Sequence, residues 1–283
     1  MKYVLFATPR FGRIVLETLC DAGFPPVALV CNPDAPIGRK KIVTAPETKQ
    51  LVEERDLNIP VFQPNKVKDI YEDLRALNAD VFIVASYGKI LKKELLEIPE
   101  KGVLGVHGSV LPAYRGASPM QQVLIDGKKE TGISLFIVGE KVDDGPVIAE
   151  AFCTIPENMM YLELEKKLAI IGGQLCVDAI PDYLADELEP QEQDHEAATF
   201  TTKFSSKDGF ISLADLKEAM QGNKTKAKKI HNRIRGLTPR PGVWTEIEGK
   251  RIKLLESRVR KDGLEVTAYQ KAGKKKVTEI LEI

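Results

Sequence analysis

Two residue types that could move protons lie in one central stretch of the chain. Val103 to Val106 is an apolar run that predicts a short buried strand, and His107 follows it directly. A second apolar run, Ile133 to Val138, leads into a turn that carries Asp143 and Asp144. In a parallel sheet, functional groups collect at the carboxyl ends of the strands. A histidine that a carboxylate orients could move protons between two nitrogens near neutral pH.

Spacing alone leaves a structural interpretation open, since a His after a strand can cap a loop and an Asp-Asp-Gly-Pro string can be an ordinary turn. The residues around the two candidates carry more information. They are His107-Gly-Ser-Val-Leu-Pro112, Tyr114-Arg115-Gly116-Ala117-Ser118-Pro119, Glu130-Thr131-Gly132 and Val142-Asp143-Asp144-Gly145. In order and residue choice these strings resemble the 10-formyltetrahydrofolate-dependent formyltransferases, most of all the members that act on methionyl-tRNA.

The resemblance implies a reaction: transfer of a formyl group from N10 of 10-formyltetrahydrofolate, the co-substrate, to the α-amine of methionyl-initiator tRNA, without a metal. It implies that His107 moves the protons or stabilises the oxyanion as imidazolium. Asp143 rather than Asp144 would orient that ring, because the family pattern is apolar-Asp-x-Gly. The implied folate-binding residues are Ser86, Tyr87, Gly88, Ile90, Leu91, Ser109, Leu111, Pro112, Val138 and Val142.

One position departs from the family pattern. The family has Asn-x-His, with the Asn amide pointing at the oxyanion, whereas this chain has Gly105-Val106-His107. Loss of one such donor typically lowers the rate by about 10²–10³. Another donor or a water could replace the amide, the enzyme could be slow, or the chain could bind its ligands without catalysis. We expect an active enzyme, because the other family residues are present.

The charge distribution predicts a polyanion partner for the C-terminal third. Residues 201–283 carry 20 Lys+Arg and 10 Asp+Glu, a net of +10, which leaves 21 and 31 for residues 1–200, a net of −10. A basic module without such a partner is the alternative on charge alone. By resemblance, the basic loop between Pro33 and Lys41 reaches the acceptor end of a tRNA. The predicted tRNA-binding residues are Arg39, Lys40, Lys41, Lys228, Arg233 and Arg235.

Two other functions remain open. A formyltransferase that acts on a small amine, such as an amino sugar or glycinamide ribonucleotide, would need neither the basic loop nor the basic C-terminal third. A tRNA- or folate-binding relative without catalysis would account for Gly105. Assays with small amines and with charged tRNA separate these functions.

The elements that position the candidates have the order of an α/β fold. Predicted strands at Lys2–Ala7, Val27–Cys31 and Ala79–Ala85 alternate with helices, but Gly-x-Gly-x-x-Gly is absent, which disfavours a dinucleotide enzyme. A long helix is predicted from Met160 to about Ile180, where Pro181 ends or kinks it. We therefore predict a Rossmann-like parallel-sheet formyltransferase domain at 1–189, a linker at 190–205 and an OB-like β-barrel domain at 206–283.

The remaining expectations concern cellular context and single residues. No apolar run is long enough for a membrane span, and the first strand is too short for a signal peptide, so we expect a cytoplasmic protein, which we take to be a monomer. The four cysteines show no metal spacing and predict buried thiols. His195 and His231 are expected to be solvated, and Trp244 is expected in the core.

Overall fold

The computed structural model describes residues 1–38 and 40–283. They form two compact units whose segments alternate along the chain. The first unit consists of Met1–Arg115, Gly132–Cys153 and Glu165–Thr199, and the second of Gly116–Thr131, Thr154–Leu164 and Phe200–Ile283. The boundaries drawn from the sequence at residues 189 and 206 stay a prediction.

The first unit is built on a seven-stranded sheet. From one edge to the other its strands are β10 (Val147–Thr154), β9 (Glu130–Ile137), β7 (Val103–His107), β6 (Val81–Ala85), β1 (Tyr3–Ala7), β2 (Ala28–Val30) and β5 (Val61–Phe62). Strands β7, β6, β1, β2 and β5 run parallel, whereas β9 is antiparallel to β7, with His107 opposite Ser134. The predicted Rossmann-like α/β sheet is confirmed, with β9 as its antiparallel exception.

The central strands are apolar because both of their faces are covered. All five residues of β1 are buried, as expected for a parallel strand inside an α/β sheet. Helix α1 (Arg10–Asp21) buries Phe11, Val15 and Leu19 at helical spacing. A Cβ at Gly12 would lie 2.6 Å from the Cβ of Ala7, so the glycine lets this helix approach the sheet closely.

The other helices of this unit are α2 (Glu47–Glu54), α3 (Tyr71–Ala76), α4 (Lys93–Leu96) and most of α6 (Tyr161–Leu184). Of the two predicted effects of Pro181, an end or a kink of the helix, the first is wrong, because α6 continues to Leu184. Pro181 has no backbone N–H, so the helix lacks one hydrogen-bond donor there. The carbonyl of Pro181 still accepts from the amide of Ala185 at 3.0 Å. An antiparallel hairpin of β3 (Ala35–Ile37) and β4 (Ile42–Thr44) precedes α2.

The second unit combines helices with a small antiparallel sheet. Its helices are α5 (Pro119–Ile125), α7 (Leu213–Met220) and α8 (Lys224–Leu237), and its strands are β12 (Val243–Ile247), β13 (Lys250–Arg260) and β14 (Gly263–Lys271). Ser212 and Asn223 cap α7 and α8 through their side chains. Ile234, Leu254 and Val266 lie in its core. The predicted C-terminal domain of short strands is confirmed, and beyond β14 an isolated bridge joins Tyr269 to Val277.

Trp244 does not lie in the core, contrary to the expectation from sequence. Its ring is half-buried and lies between Phe210, at 4.7 Å between ring centroids, and the guanidinium of Arg251, at 4.2 Å. Its indole N–H donates to the carbonyl of Ser206 at 2.9 Å. An indole with one polar partner and one cation on its face is stable at a domain surface.

Candidate active site

His107 is the last residue of β7 and is buried between two oxygen acceptors. Only 7% of the residue is exposed. Its Nε2 lies 3.0 Å from the carbonyl oxygen of Tyr114, and its Nδ1 lies 3.6 Å from Oδ2 of Asp143. Each ring nitrogen therefore faces an oxygen acceptor, and the contact with Tyr114 is short enough for a hydrogen bond.

Asp143 reaches His107 by a route that the sequence argument did not contain. Because β9 is antiparallel to β7, the loop after β9 starts beside the first residue of β7, where the amide of Val138 donates to the carbonyl of Val103 at 2.7 Å. The loop then returns along β7 and brings Asp143 to its last residue. The two side chains do meet, but the expectation that they meet at the carboxyl ends of parallel strands is wrong.

A side chain far away in the sequence holds this loop. The amide Nε2 of Gln193 donates to the carbonyls of Asp143 and Gly145, at 3.0 and 2.6 Å. Its Oε1 accepts from Nε and Nη2 of the buried Arg115, at 3.0 and 2.7 Å. Sequence reasoning left Gln193 in the predicted linker without a role, because a contact across 50 residues leaves no local pattern.

Three non-glycine residues around the site have left-handed backbone conformations. Their φ angles are +51° at Asp143, +61° at Tyr114 and +60° at Ser86. Such conformations cost free energy and persist only where the surrounding structure imposes them, often at functional sites. The loops that carry the carboxylate and the carbonyl on either side of His107 are thus both held under strain.

The space beside Gly105 is filled by an aromatic ring. Gly105 and Phe136 are directly opposite each other on β7 and β9, on the same sheet face as His107. A Cβ at Gly105 would lie 2.3 Å from Cε1 of Phe136, and that ring stands edge-on to the imidazole at 6.2 Å. The asparagine of the family pattern could not be accommodated here unless Phe136 moved.

The predicted folate segment after β6 combines a buried tyrosine with an exposed apolar tip. Tyr87 is buried and packs edge-on against Phe6, and burial raises the pKa of its phenol to about 12. Ile90 is 90% exposed, and Val142, on the loop that carries Asp143, is 62% exposed. Ser86, Gly88 and Leu91 complete this segment, and Leu91 and Val138 pack against the apolar core beneath it.

The predicted folate residues after His107 form a compact turn. Ser109 donates its hydroxyl to the carbonyl of Ala113 at 2.7 Å. The amide of Leu111 donates to the hydroxyl of Ser134 at 2.9 Å, and the carbonyl of Pro112 accepts from the amide of Thr199. These bonds fix the loop between His107 and Tyr114.

The predicted tRNA-binding residues lie in two places. Lys40 and Lys41 lie between the strands of the β3–β4 hairpin and are exposed, whereas Arg39 lies outside the described residues. On α8, Lys228 is exposed, Arg233 donates to the carbonyl of Asp208, and Arg235 is buried. Of the five that the structure describes, only the three lysines are exposed.

The other two histidines both have partners, but only His231 is buried, contrary to the expectation that both are solvated. His195 is exposed, but its Nδ1 lies 2.9 Å from Nη2 of Arg115. His231 is 3% exposed, with Nδ1 at 3.0 Å from Oγ of Ser257 and Nε2 at 3.4 Å from the carbonyl of Glu157. Burial, followed by the nearby Arg235, lowers the pKa of His231. Its helical spacing on α8 was the overlooked signal, since it places His231 on the same face as Ile234.

Two absences hold for the described part of the chain. No helix there combines the length and the apolar character that a bilayer span requires. Nor do these residues bring together three His, Cys, Asp or Glu side chains that could hold a metal ion.

The four cysteines are free thiols; Cys31, Cys153 and Cys176 are buried and Cys20 is partly buried.

The chain combines a Rossmann-like α/β sheet, which carries a buried histidine close to a carboxylate, with a small antiparallel-strand domain. Comparison with known proteins gives the family. The model described as formyl transferase matches residues 1–180, and the model described as formyl transferase, C-terminal domain, matches residues 224–274. The chain belongs to the formyl transferase family and is a formyl-transferring enzyme.

Individual relatives agree with this family. A methionyl-tRNA formyltransferase from Listeria innocua is 38% identical over 259 residues, which are 90% of this chain and 78% of the relative. Among solved structures, a methionyl-tRNA formyltransferase from Clostridium thermocellum shares the fold with a TM-score of 0.59 at 17% identity, covering 100% of this chain and 99% of the other. An N-formyltransferase from Helicobacter canadensis, in complex with folinic acid and dTDP-3-aminofucose, gives 0.66 at 16% identity, covering 92% and 88%.

Proposed function

We propose that this enzyme transfers the formyl group of 10-formyltetrahydrofolate to the α-amine of methionyl-initiator tRNA, for initiation of translation. The observation that carries the proposal is the position of His107 between the carboxylate of Asp143 and the carbonyl of Tyr114. The names of the relatives support the acceptor. On this proposal the enzyme acts in the cytoplasm, and we propose that it acts as a monomer.

The reaction forms a C–N bond at the amine and breaks the bond to N10, so one proton leaves the amine and one reaches N10. Asp143 stabilises a proton on Nδ1 of His107. Nε2 faces the neutral carbonyl of Tyr114, a weaker acceptor than a carboxylate, so this nitrogen is the one that gives a proton to N10. The same nitrogen then takes up the proton that leaves the amine, which returns the ring to its starting state. The 3.6 Å separation from Asp143 is long for a hydrogen bond, and catalytic bonds of this kind often tighten when substrate binds.

Apolar side chains support the binding of a folate. Ile90 and Val142, two of the residues implied to bind folate, expose apolar surface, and a flat aromatic ligand would cover such surface. Next to the first segment is a cavity of about 380 Å³, lined in part by Lys66, Lys68 and Lys89. Lysines there suit the glutamate carboxylates of a folate.

Basic residues support a tRNA as the acceptor. Lys40 and Lys41 between the hairpin strands, and Lys228 on α8, are exposed cations that could contact phosphates. For Arg233 and Arg235 we propose a contribution to charge rather than direct contact, because backbone carbonyls already accept from both guanidinium groups.

A small amine is the second candidate acceptor, favoured by the fold match to the N-formyltransferase whose structure holds an amino sugar nucleotide. The two acceptors are tested together: formyl-methionyl-tRNA and formylated amino sugar are measured with one formyl donor. We expect product only with the tRNA. Product only with the sugar would overturn the proposed acceptor, and product with neither would contradict both candidate acceptors.

The proposed role of the carboxylate is tested by a matched pair of variants. We expect Asp143→Asn to lower formyl transfer about 10²-fold, because the amide cannot stabilise the charged ring. The control is Asp144→Asn, one residue further along the same loop, with transfer within about twofold of the unchanged enzyme. Equal losses in both variants would contradict the assignment of Asp143.

A further inference from the structure

The formyl oxygen becomes negative when the amine attacks, and in the proposed reaction neither nitrogen of His107 serves it. Nδ1 faces Asp143, and Nε2 moves the protons between the amine and N10. The amide donor of the family pattern is absent at Gly105, and the ring of Phe136 fills that space. An oxyanion without a donor slows the reaction greatly, so the chain needs a donor from another position.

Two serines flank His107 on the strands to either side of β7. On β9, Ser134 is directly opposite His107. On β6, Val84 pairs with Gly105, so Ser86, two residues further along, comes level with His107. Neighbouring strands of a sheet lie about 5 Å apart, so a group on either strand can reach a substrate that contacts His107. These two hydroxyls are therefore the candidates for the missing donor.

Only one of the two hydroxyls is free. Ser134 is fully buried, and its hydroxyl accepts from the amide of Leu111 at 2.9 Å and donates to Oε1 of Glu150 at 2.8 Å. Since a hydroxyl carries a single proton, Ser134 has nothing left to donate. Ser86 is exposed, and within residues 1–38 and 40–283 its hydroxyl has no hydrogen-bond partner. Ser86 alone therefore has a donor that a substrate can use.

The backbone at Ser86 is held in place from both sides. On one side it follows directly on the buried strand β6. On the other side Tyr87 is buried, and its carbonyl accepts from Nδ2 of Asn32 at 3.3 Å. Nζ of Lys89 then donates to the carbonyl of Pro64 at 2.8 Å. These contacts impose the left-handed φ of +60° at Ser86, and a donor that is fixed in advance stabilises an oxyanion without reorganisation.

We infer that the hydroxyl of Ser86 donates a hydrogen bond to the formyl oxygen as it becomes negative, so that Ser86 is a further catalytic residue. The inference rests on the formyl transfer of the proposed function, whichever amine accepts the group. Attack of the amine forms a C–N bond and moves the π electrons of the carbonyl onto its oxygen. Their return breaks the bond to N10. The protons move through His107, and the hydroxyl of Ser86 keeps its own proton throughout.

The inference is tested by kcat, and by KM for the formyl donor, in three variants of the full chain. Ser86→Ala and Ser86→Gly remove the hydroxyl, and glycine also relieves the left-handed backbone. We expect both variants to lower kcat about 10²-fold with an unchanged KM, as for an interaction made only in the transition state. Ser86→Asn tolerates this backbone and carries an N–H donor, so its kcat should exceed that of Ser86→Ala about tenfold.

The control is Thr8→Val, which removes a hydroxyl from the same edge of the sheet. Thr8 follows β1 as Ser86 follows β6, because Ala7 pairs with Ala85, and it is one strand further from His107. Its hydroxyl already accepts from the amide of Asn32 at 3.2 Å, so kcat should be unchanged. An unchanged kcat in both Ser86→Ala and Ser86→Gly would overturn the inference. So would a loss confined to Ser86→Ala, which would reflect backbone strain, or a raised KM alone, which would make Ser86 only a binding residue.

The outcome is kept separate from that of the proposed function by measuring both methionyl-tRNA and an amino sugar nucleotide as acceptors. Which of them is formylated tests the proposed function, and the ratio of kcat with that acceptor, unchanged enzyme against Ser86→Ala, tests Ser86. If neither is formylated, the carbonyl stretching band of bound, isotope-labelled 10-formyltetrahydrofolate decides. A band at higher wavenumber in Ser86→Ala supports the hydrogen bond, whereas an identical band, or no binding of the donor, overturns it.

Discussion

His107 and His231 are the same type of residue, but their surroundings in this protein differ and suit different roles. Both rings are buried. His107 lies beside a carboxylate and a carbonyl, whereas His231 lies beside a hydroxyl, a carbonyl and the guanidinium of Arg235. A carboxylate suits a charged ring that can donate a proton, and a buried cation suits a ring that stays neutral. Burial lowers the pKa of His231 and the nearby Arg235 lowers it further, whereas the charged group beside His107 is a carboxylate.

The largest effect on formyl transfer is expected when the imidazole of His107 is removed. We expect His107→Gln to lower formyl transfer by about 10³-fold, because glutamine cannot move a proton between amine and N10. The measurement is single-turnover formation of formyl-methionyl-tRNA. His195→Gln, which alters an exposed ring, is the control and should retain activity; a similar loss in both variants would remove the distinction between His107 and the other histidines.

The next effect concerns the ring beside His107. Gly105→Asn alone should destabilise the protein without a faster reaction, because the new side chain overlaps Phe136. Phe136→Ala alone should cost about 3–5 kcal/mol of stability. The double variant should regain part of that stability and transfer formyl about 10²-fold faster than Phe136→Ala, as expected for a restored oxyanion donor.

Thermal unfolding and transfer rates are measured for all four proteins, including the unchanged chain. Equal rates in Phe136→Ala and the double variant would show that the missing amide does not limit this enzyme. In that case another group already stabilises the oxyanion, and the contact between Gly105 and Phe136 contributes only to packing.

What the sequence could predict depends on how far apart along the chain the contacting residues lie. Local patterns of apolar residues predict the parallel strands and the long helix. The residues around His107 were predictable because they match the sequence motifs of the family. The antiparallel direction of β9 was not, since a connection of this length permits either direction. Nor were Gln193 at the Asp143 loop and Phe136 over Gly105, which depend on strand pairing and on chain segments far apart.

A smaller effect is expected from Gln193, whose side chain holds the loop that carries Asp143. Gln193→Ala removes two hydrogen bonds to that loop and leaves the guanidinium of Arg115 with fewer acceptors. We expect kcat to fall about tenfold and stability by about 1–3 kcal/mol, while KM for the tRNA is unchanged. Gln193→Glu, which retains the acceptor for Arg115 but not the donor to the loop, separates the two losses: its stability should recover more than its kcat.

The smallest effect tests the neutral state of His231. Its pKa in the folded protein lies below the ordinary value of 6.5, so between 6.5 and that lower value the unfolded chain binds a proton that the folded chain does not. Stability from this residue is therefore fully present above pH 6.5 and is lost as the pH falls through this window. His231→Gln should give a flatter dependence of unfolding free energy on pH there, measured by denaturant titration. An unchanged slope would mean that the ring beside Arg235 takes up its proton as readily as a solvated one, and the contrast with His107 would then rest on Asp143 alone.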